Sequence, residues 1–263
     1  MTTTALTRVA AALLLTAAIA APGAAQTTAA PTTAAAKAFN GVRALADVRQ
    51  LVDIGPRVAG MPGAAKARAY ITAQLKASGL TVQEQGFDTT TPRGPVHMTN
   101  LIAVIPGSGA PRAGAQRIVV GGHYDTKLFK EFAFVGANDG GSSAALLIEL
   151  ARVLKPKTLP IDVELLFLDG EEAVGEWKGD DHTYGSRYYV TAARTAGTLK
   201  TIAAFVLVDM IGDRDLRIMR ESNSTPWLTE IVWAAAKKLG QREFVSEVTT
   251  VEDDHLEFLE AGV

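Results

Sequence analysis

Three short apolar runs, residues 117–123, 161–168 and 202–209, have the length and continuous hydrophobicity of strands buried on both faces. Between them, residues 140–154 place apolar side chains at helical spacing, and residues 184–193 also favour a helix. Strands that alternate with helices are typical of βαβ units and of a mostly parallel sheet. The pattern therefore predicts an α/β fold.

Further elements are predicted before and after this central region. Helices are expected over 42–54, 64–78 and 226–239, strands over 80–87, 100–105 and 215–219, and a short helical stretch after Asp253-Asp254-His255. Glycine and proline mark residues 56–63 as a loop, and polar residues mark 173–183 as another.

The first residues have the composition of a targeting segment. Arg8 precedes an apolar run over 9–21, which is short for a membrane span, and small residues at 23–25 suit a cleavage site. We predict a signal peptide over 1–25, an Ala/Thr/Pro-rich linker over 26–37 and a catalytic domain over 38–263. The expected location is periplasmic or extracellular. An amphipathic or transit segment is the alternative.

Composition restricts the chemistry. The chain of 263 residues has no cysteine, which excludes disulfides, thiolate nucleophiles and cysteine-ligated zinc, and it has only four histidines. A net charge of −2 gives no reason to expect a nucleic-acid or membrane-surface partner. We expect a monomer with no membrane contact after signal removal. Any metal site must use His, Asp and Glu.

Residue types that bind metals lie at the ends of all three apolar runs or directly after them. The runs end on His123, on Glu171 and Glu172, and on Asp209, and Asp139 opens the helix after the first run. Strand ends of a parallel sheet lie along one edge, so these side chains are expected to converge. His and carboxylates are the ligands of a Zn²⁺ site without sulfur. Individually, an acidic turn or a helix cap explains the carboxylates equally well.

One more acid belongs to this group. Asp125 lies two residues after His123 and can accept a hydrogen bond from the other ring N–H of the histidine, which would orient a metal-binding imidazole.

Six segments resemble one enzyme family: GGHYDTK, GANDGGSSAALLIELAR, LLFLDGEEA, YGSR, LVDMIGD and EDDHLEFLEAGV. In matching order over about residues 40–263, they are similar to the bacterial zinc aminopeptidases and the animal-type glutaminyl cyclases. The resemblance implies the zinc exopeptidase (phosphorylase/hydrolase-like) fold, in which three αβα layers enclose a mostly parallel sheet. It also implies one or two Zn²⁺ ions.

The resemblance assigns roles to the acidic residues. Asp139 corresponds to a zinc ligand that bridges when two ions are present, and Glu172 to a ligand of one zinc. His123 and Asp209 correspond to ligands of the second zinc in the aminopeptidases. Glu171 corresponds to the general acid/base.

Two reactions on peptide or protein N-termini remain open. A cyclase converts an N-terminal Gln into pyroglutamate and releases ammonia, whereas an aminopeptidase hydrolyses the first peptide bond. Trp177, as a wall of the substrate pocket, and Asp253, as a catalytic hydrogen-bond relay, favour the cyclase. Their structural alternatives are a surface aromatic side chain and a helix N-cap.

One departure from the family pattern concerns the last zinc ligand. The family places a histidine beyond the strand that should follow Val263, and none of His97, His182 and His255 replaces it in motif. The expectation is a C-terminally truncated member that lacks its final strand and helix, with weakened zinc binding and low activity. An inactive remnant is therefore a further alternative.

Overall fold

A computed structural model describes residues 39–108, 116–155 and 157–263. The predicted signal peptide over 1–25 and linker over 26–37 lie outside these residues and stay predictions. No helix in the described ranges is long and apolar enough to cross a membrane.

Helices and strands alternate through most of this region. The helices are α1 (Gly41–Ile54), α2 (Pro62–Ala77), α3 (Gly141–Leu154), α4 (Tyr184–Thr195), α5 (Pro226–Lys238) and α6 (His255–Glu260). The strands are β1 (Val82–Thr91), β2 (Gly94–Ile105), β3 (Arg117–His123), β4 (Asp162–Leu168), β5 (Ile202–Leu207), β6 (Ile218–Glu221) and β7 (Phe244–Thr249).

The central sheet has five strands in the order β1-β2-β4-β3-β5. The strands β4, β3 and β5 are mutually parallel, whereas β2 pairs antiparallel with both β1 and β4. β6 and β7 form a separate two-stranded parallel sheet. The chain moves from β3 through α3 to β4, then crosses back through α4 to β5 on the other side of β3. This reversal of direction creates the crevice where open α/β sheets bind ligands.

The predicted three-layer αβα architecture is confirmed by the packing. On β3, Ile118 and Val120 pack with α1, α2 and α3, while Val119 packs with α4 and α6 on the opposite face. The alternation follows from the two-residue period of a strand. Because both faces are covered, the central strands read as continuous apolar runs.

Three strands differ from the sequence predictions. The predicted strand over 100–105 begins at Gly94 and forms a hairpin with β1. Residues 94–99 pair with the edge strand β1 and not with β4, and they lack the continuous apolar run of a central strand. β7 was not predicted, since Phe244–Thr249 mixes apolar and charged residues and stays half-exposed. The predicted strand over 215–219 lies instead at Ile218–Glu221.

Candidate metal centre

His123 is the centre of a compact group of ligand atoms at the carboxyl edge of the sheet. Its Nε2 atom lies 3.1 Å from Oδ1 of Asp139 and 3.2 Å from Oδ1 of Asp209. The ligand atoms of the three residues all lie within 4.8 Å of one another. The imidazole is buried, whereas the side chains of Asp139 and Asp209 are 30% and 20% exposed. The group is therefore open on its acidic side.

Asp139 reaches the group because α3 begins unusually close to β3. Gly140 is the helix N-cap at φ +71°, and a Cβ atom there would lie 2.5 Å from the Asp125 carbonyl oxygen and 3.1 Å from Cε1 of His123. Only glycine fits this close approach at positive φ. The carboxylate of Asp139 does not cap the helix, since Gly140 occupies the cap position and no side-chain cap bond forms. The capping alternative is therefore wrong.

Asp209 is fixed from the opposite side. It follows β5, and its Oδ1 atom accepts a hydrogen bond from Oγ of Ser143 at 3.1 Å. The next residue, Met210, has φ +48°, a left-handed conformation that is strained for this side chain. Ser143 was not predicted, because a serine in the first turn of a helix gives no signal of what it faces.

Asp125 joins the strand end of β3 to the strand end of β4. Its Oδ1 atom lies 3.3 Å from Nδ1 of His123, and its two oxygens accept hydrogen bonds from the backbone N–H groups of Glu171 and Glu172 at 3.2 and 3.3 Å. The carboxylate thus contacts the imidazole nitrogen that faces away from Asp139 and Asp209. This is the contact that the sequence predicts for Asp125, and it orients the imidazole.

The adjacent carboxyls of Glu171 and Glu172 have different surroundings. Glu171 is buried, with Oε2 3.6 Å from Nδ1 of His123, and burial together with the charges of Asp254 and Asp253 raises its pKa to about 10. Glu172 is half-buried and lies outside the compact group of ligand atoms. Burial and the neighbouring acids raise its pKa to about 7. The predicted metal role of Glu172 stays a prediction.

Asp253 and Asp254 lie near the carboxyl group of Glu171, at the start of α6. Asp253 is buried, and burial with the charge of Asp209 raises its pKa to about 7. Asp254, which was not predicted, is fully buried and accepts a hydrogen bond from Oγ of Ser186 at 2.5 Å. The charges of both aspartates raise the pKa of Glu171, so the region around this carboxyl group is strongly acidic.

Trp177 lies outside the compact group of ligand atoms, in the loop between β4 and α4. Its ring stacks on His182 with centroids 4.3 Å apart, and its Nε1 atom donates to Glu252 at 3.4 Å. Because Glu252 precedes Asp253, the indole lies near the segment that carries the relay candidate. The ring is 39% exposed.

The remaining histidines lie outside the compact group. His97 pairs with Asp88 on the β1–β2 hairpin at 2.8 Å, and Nε2 of His255 lies 3.3 Å from Glu221. These contacts agree with the expectation that neither histidine replaces a metal ligand.

The donor set fits a divalent cation. One imidazole nitrogen and two carboxylate oxygens at this spacing match zinc chemistry, and a third carboxylate, that of Asp125, orients the imidazole. In the metal-free protein, burial alone would lower the pKa of His123. The charges of Glu171 and Asp209 and hydrogen bonds to Asp125 and Asp139 raise that pKa well above its usual value. A proton on the imidazole ring of His123 thus offsets negative charge of the neighbouring carboxylates, as a bound cation would.

A family model for peptidase family M28 matches residues 100–263, which include every residue of this centre. The chain belongs to peptidase family M28. The M28 chain is 30% identical over 246 residues to a glutaminyl-peptide cyclotransferase of Drosophila melanogaster, covering 82% of this chain and 68% of the relative. It is 29% identical to a glutaminyl-peptide cyclotransferase-like protein of Bos taurus, with 79% and 61% coverage. The chain thus spans about two thirds of the length of these relatives.

Solved structures give the same grouping. A glutaminyl cyclase from an Acidobacteriales bacterium superimposes with a TM-score of 0.81 at 41% identity, covering 90% of this M28 chain and 81% of that one. A leucine aminopeptidase precursor from Bacteroides thetaiotaomicron has a TM-score of 0.76 at 26% identity, with 86% and 83% coverage. A Zn-dependent exopeptidase from Parabacteroides distasonis has a TM-score of 0.75 at 25% identity, with 86% and 82% coverage.

Proposed function

We propose that this M28 protein is a zinc-dependent glutaminyl-peptide cyclotransferase, which converts an N-terminal Gln into pyroglutamate. The observation that carries the proposal is the buried carboxyl group of Glu171 beside the His123 group. A proton carrier held next to a cation site suits an amide transfer that begins and ends with proton movement. The similarity to an Acidobacteriales glutaminyl cyclase supports this reaction.

His123, Asp139 and Asp209 would hold one zinc ion. Glu172 is the predicted ligand of the other ion, with Asp139 as the ligand common to both. When bound, zinc polarises the carbonyl group of the amide that is attacked. Asp125 orients the imidazole through Nδ1. The similarity to a Zn-dependent exopeptidase supports zinc as the metal.

The proton route uses the chain's own groups. The α-amine nitrogen of the substrate forms a bond to the side-chain amide carbon, and the bond from that carbon to the amide nitrogen breaks. Glu171 takes a proton from the attacking amine and returns it to the departing nitrogen, which leaves as ammonia. Asp253, buried near Glu171, is the relay residue of this proposal. Because amine and amide belong to one molecule, positioning supplies much of the rate.

Trp177 forms one wall of the substrate pocket in this proposal. Its exposed ring face and its position beside Glu252 suit a peptide N-terminus that enters along the loop between β4 and α4.

Aminopeptidase activity is the second candidate, and the similarity to a leucine aminopeptidase precursor favours it. There Glu171 would take the proton from a water molecule that attacks the first peptide bond. To decide, the zinc-supplied protein is incubated with one peptide that begins with Gln and one that begins with Leu. Release of ammonia and a product lighter by one ammonia support the cyclase. Products shortened by one residue support the aminopeptidase.

The inactive remnant is the third candidate. Metal analysis of the purified protein tests it, because stoichiometric zinc is incompatible with a remnant that has lost the ion. We also propose export to the periplasm or the exterior, from the composition of residues 1–25, and a monomeric state. Cell fractionation and light scattering test these two points.

A further inference from the structure

Arg57 is a fully buried arginine in the loop between α1 and α2, and among the described residues no carboxylate is hydrogen-bonded to its side chain. Its guanidinium group donates instead to four backbone carbonyl oxygens, closely to those of Tyr124 at 2.7 Å, Val135 at 2.6 Å and Gly136 at 2.8 Å and more distantly to that of Leu51 at 3.5 Å. Burial lowers the pKa of this guanidinium to about 10, so the protein keeps the side chain inside against a desolvation cost. Because burial of a charged side chain costs free energy, a structural or functional role is expected for the Arg57 guanidinium.

The three closest acceptors lie at the two ends of one loop. Tyr124 directly follows His123 at the end of β3, and Val135 and Gly136 precede Asp139 at the start of α3. The guanidinium therefore spans the base of the loop over 124–136 and joins the segment that carries His123 and Asp125 to the segment that carries Asp139. The backbone N–H of Arg57 also donates to Oγ1 of Thr126 at 2.8 Å.

The contacts continue from this base into the centre. The Gly136 carbonyl, which accepts from Arg57, also accepts from the N–H of Gly141 at 3.1 Å and so fixes the first turn of α3. Within the same segment, the carboxylate of Asp125 accepts from the N–H groups of Glu171 and Glu172. Displacement of the loop base would therefore move both ends of the centre at once.

We propose that Arg57 is a positioning residue that holds Asp125 and Asp139 at the spacing required for metal binding. In the described part of the chain, its guanidinium forms no hydrogen bond with the ligand atoms of His123, Asp139 and Asp209. The inference rests on the proposed metal site. The loss of charge and the loss of hydrogen bonds in an Arg57 variant predict opposite effects on zinc affinity. A buried positive charge repels a cation, so its removal would tighten zinc binding. Loss of the hydrogen bonds to the base of the loop would weaken zinc binding.

The test compares Arg57→Met, Arg57→Lys and wild type by zinc titration against a chromophoric chelator. We expect zinc Kd to rise about 10- to 100-fold in Arg57→Met, the usual cost of removing an outer-shell partner. Arg57→Lys should also bind weakly, because an ammonium group cannot reach three carbonyls as a planar fork does. A wild-type or lower Kd in Arg57→Met would overturn the proposal, as would full retention of affinity in Arg57→Lys.

Arg117 offers a matched control at the other end of β3. Its partly buried guanidinium also crosses between elements, donating to Glu164 at 2.8 Å and to Tyr189 at 3.2 Å. Arg117→Gln should lower the urea unfolding midpoint and leave zinc Kd unchanged. Equal Kd changes in both arginine variants would indicate a general structural effect and contradict the positioning role.

A metal-independent readout separates this inference from the proposed function. Hydrogen exchange of the metal-free protein should be at least about tenfold faster in Arg57→Met at the amides of Gly141, Glu171 and Glu172, which depend on the clamped segments. Arg57→Lys and the milder Thr126→Val, which removes the acceptor of the Arg57 N–H, serve if Arg57→Met does not fold. Unchanged hydrogen exchange in the variants would overturn the positioning role of Arg57. If wild type binds no zinc but exchange is faster in the variants, only the proposed metal site is contradicted.

Discussion

Nε2 of His123 lies 3.2 Å from Oδ1 of Asp209, although the two residues follow different strands and are 86 positions apart in the chain. β3 and β5 are adjacent and parallel, so their carboxyl ends meet at one edge of the sheet. The contact places an imidazole and a carboxylate at the distance that a shared cation requires. It makes the centre testable by removing one ligand at a time.

Asp209→Asn should weaken zinc binding by more than about 100-fold, since loss of a ligand costs more than loss of an outer-shell partner. The Asn side chain keeps the volume and the acceptor for Ser143 but loses the charge. The measurement is zinc Kd by chelator competition. Asp215→Asn, an exposed acid of the following loop, is the control and should bind like wild type. Similar affinities for the two variants would remove Asp209 from the ligand set.

Glu171→Gln should abolish turnover while the protein keeps its zinc. Loss of a general acid/base lowers the rate by about 10²- to 10⁴-fold, and the isosteric amide cannot carry the proton. The assay is ammonia release from a Gln-initiated peptide, with metal content measured on the same samples. Glu176→Gln changes an exposed glutamate five residues away and should leave kcat unaltered. Substantial activity in Glu171→Gln would exclude the proton-carrying role.

Gly140→Ala and Gly240→Ala separate backbone conformation from space. The two glycines have φ of +71° and +70°, but a Cβ at Gly140 would lie 2.5 Å from the Asp125 carbonyl, whereas nothing lies within 4 Å at Gly240. Gly240→Ala should lower the free energy of unfolding by about 1 kcal/mol, the cost of a left-handed alanine. Gly140→Ala should cost more and also weaken zinc binding. Equal unfolding midpoints in urea for both variants would contradict the close approach of α3 to β3.

Asp181 should make the stability of the loop over 174–183 dependent on pH. Its carboxylate is buried and accepts from the hydroxyl of Tyr184 and from the N–H groups of Val174, Gly175 and Glu176. Burial alone would raise the pKa of Asp181, but these hydrogen bonds lower it. A lowered pKa means that the stabilisation is present above the ordinary Asp pKa of about 4 and is lost as the pH falls through the folded value.

Asp181→Asn should therefore cost about 2 kcal/mol of unfolding free energy at pH 7, a typical value for charged hydrogen bonds. The difference from wild type should shrink as the pH is lowered towards 3. Urea unfolding at several pH values measures it, and Asp180→Asn, a fully exposed neighbour, should show no measurable change. A constant difference at all pH values would contradict the charged state assigned to Asp181.

Trp177→Ala should raise KM for peptide substrates about tenfold with little change in kcat, because an aromatic wall contributes binding and no proton transfer. Trp227→Ala is the matched control, since its ring is 42% exposed against 39% for Trp177. Steady-state kinetics on a Gln-initiated peptide distinguish the two variants. A drop in kcat at unchanged KM would instead place Trp177 in the chemical step.

The amino-acid sequence by itself determined the α/β class, the central strands and most of the helices, because local periodicity reports the faces that an element buries. It also placed His123, Asp139 and Asp209 correctly at element ends, since the edge of a parallel sheet follows from strand direction. Family resemblance, rather than spacing, supplied the expected reaction.

Only the tertiary structure decided which groups lie together. The start of β2 at Gly94 and the pairing of β7 with β6 were not predicted, because a half-exposed strand has no apolar signature of its own. Non-local packing decides three features of the centre. They are the different surroundings of Glu171 and Glu172, the contact of Ser143 with Asp209, and the buried guanidinium group of Arg57. No sequence period encodes such contacts, because they arise only when helices and strands from different parts of the chain share one sheet edge.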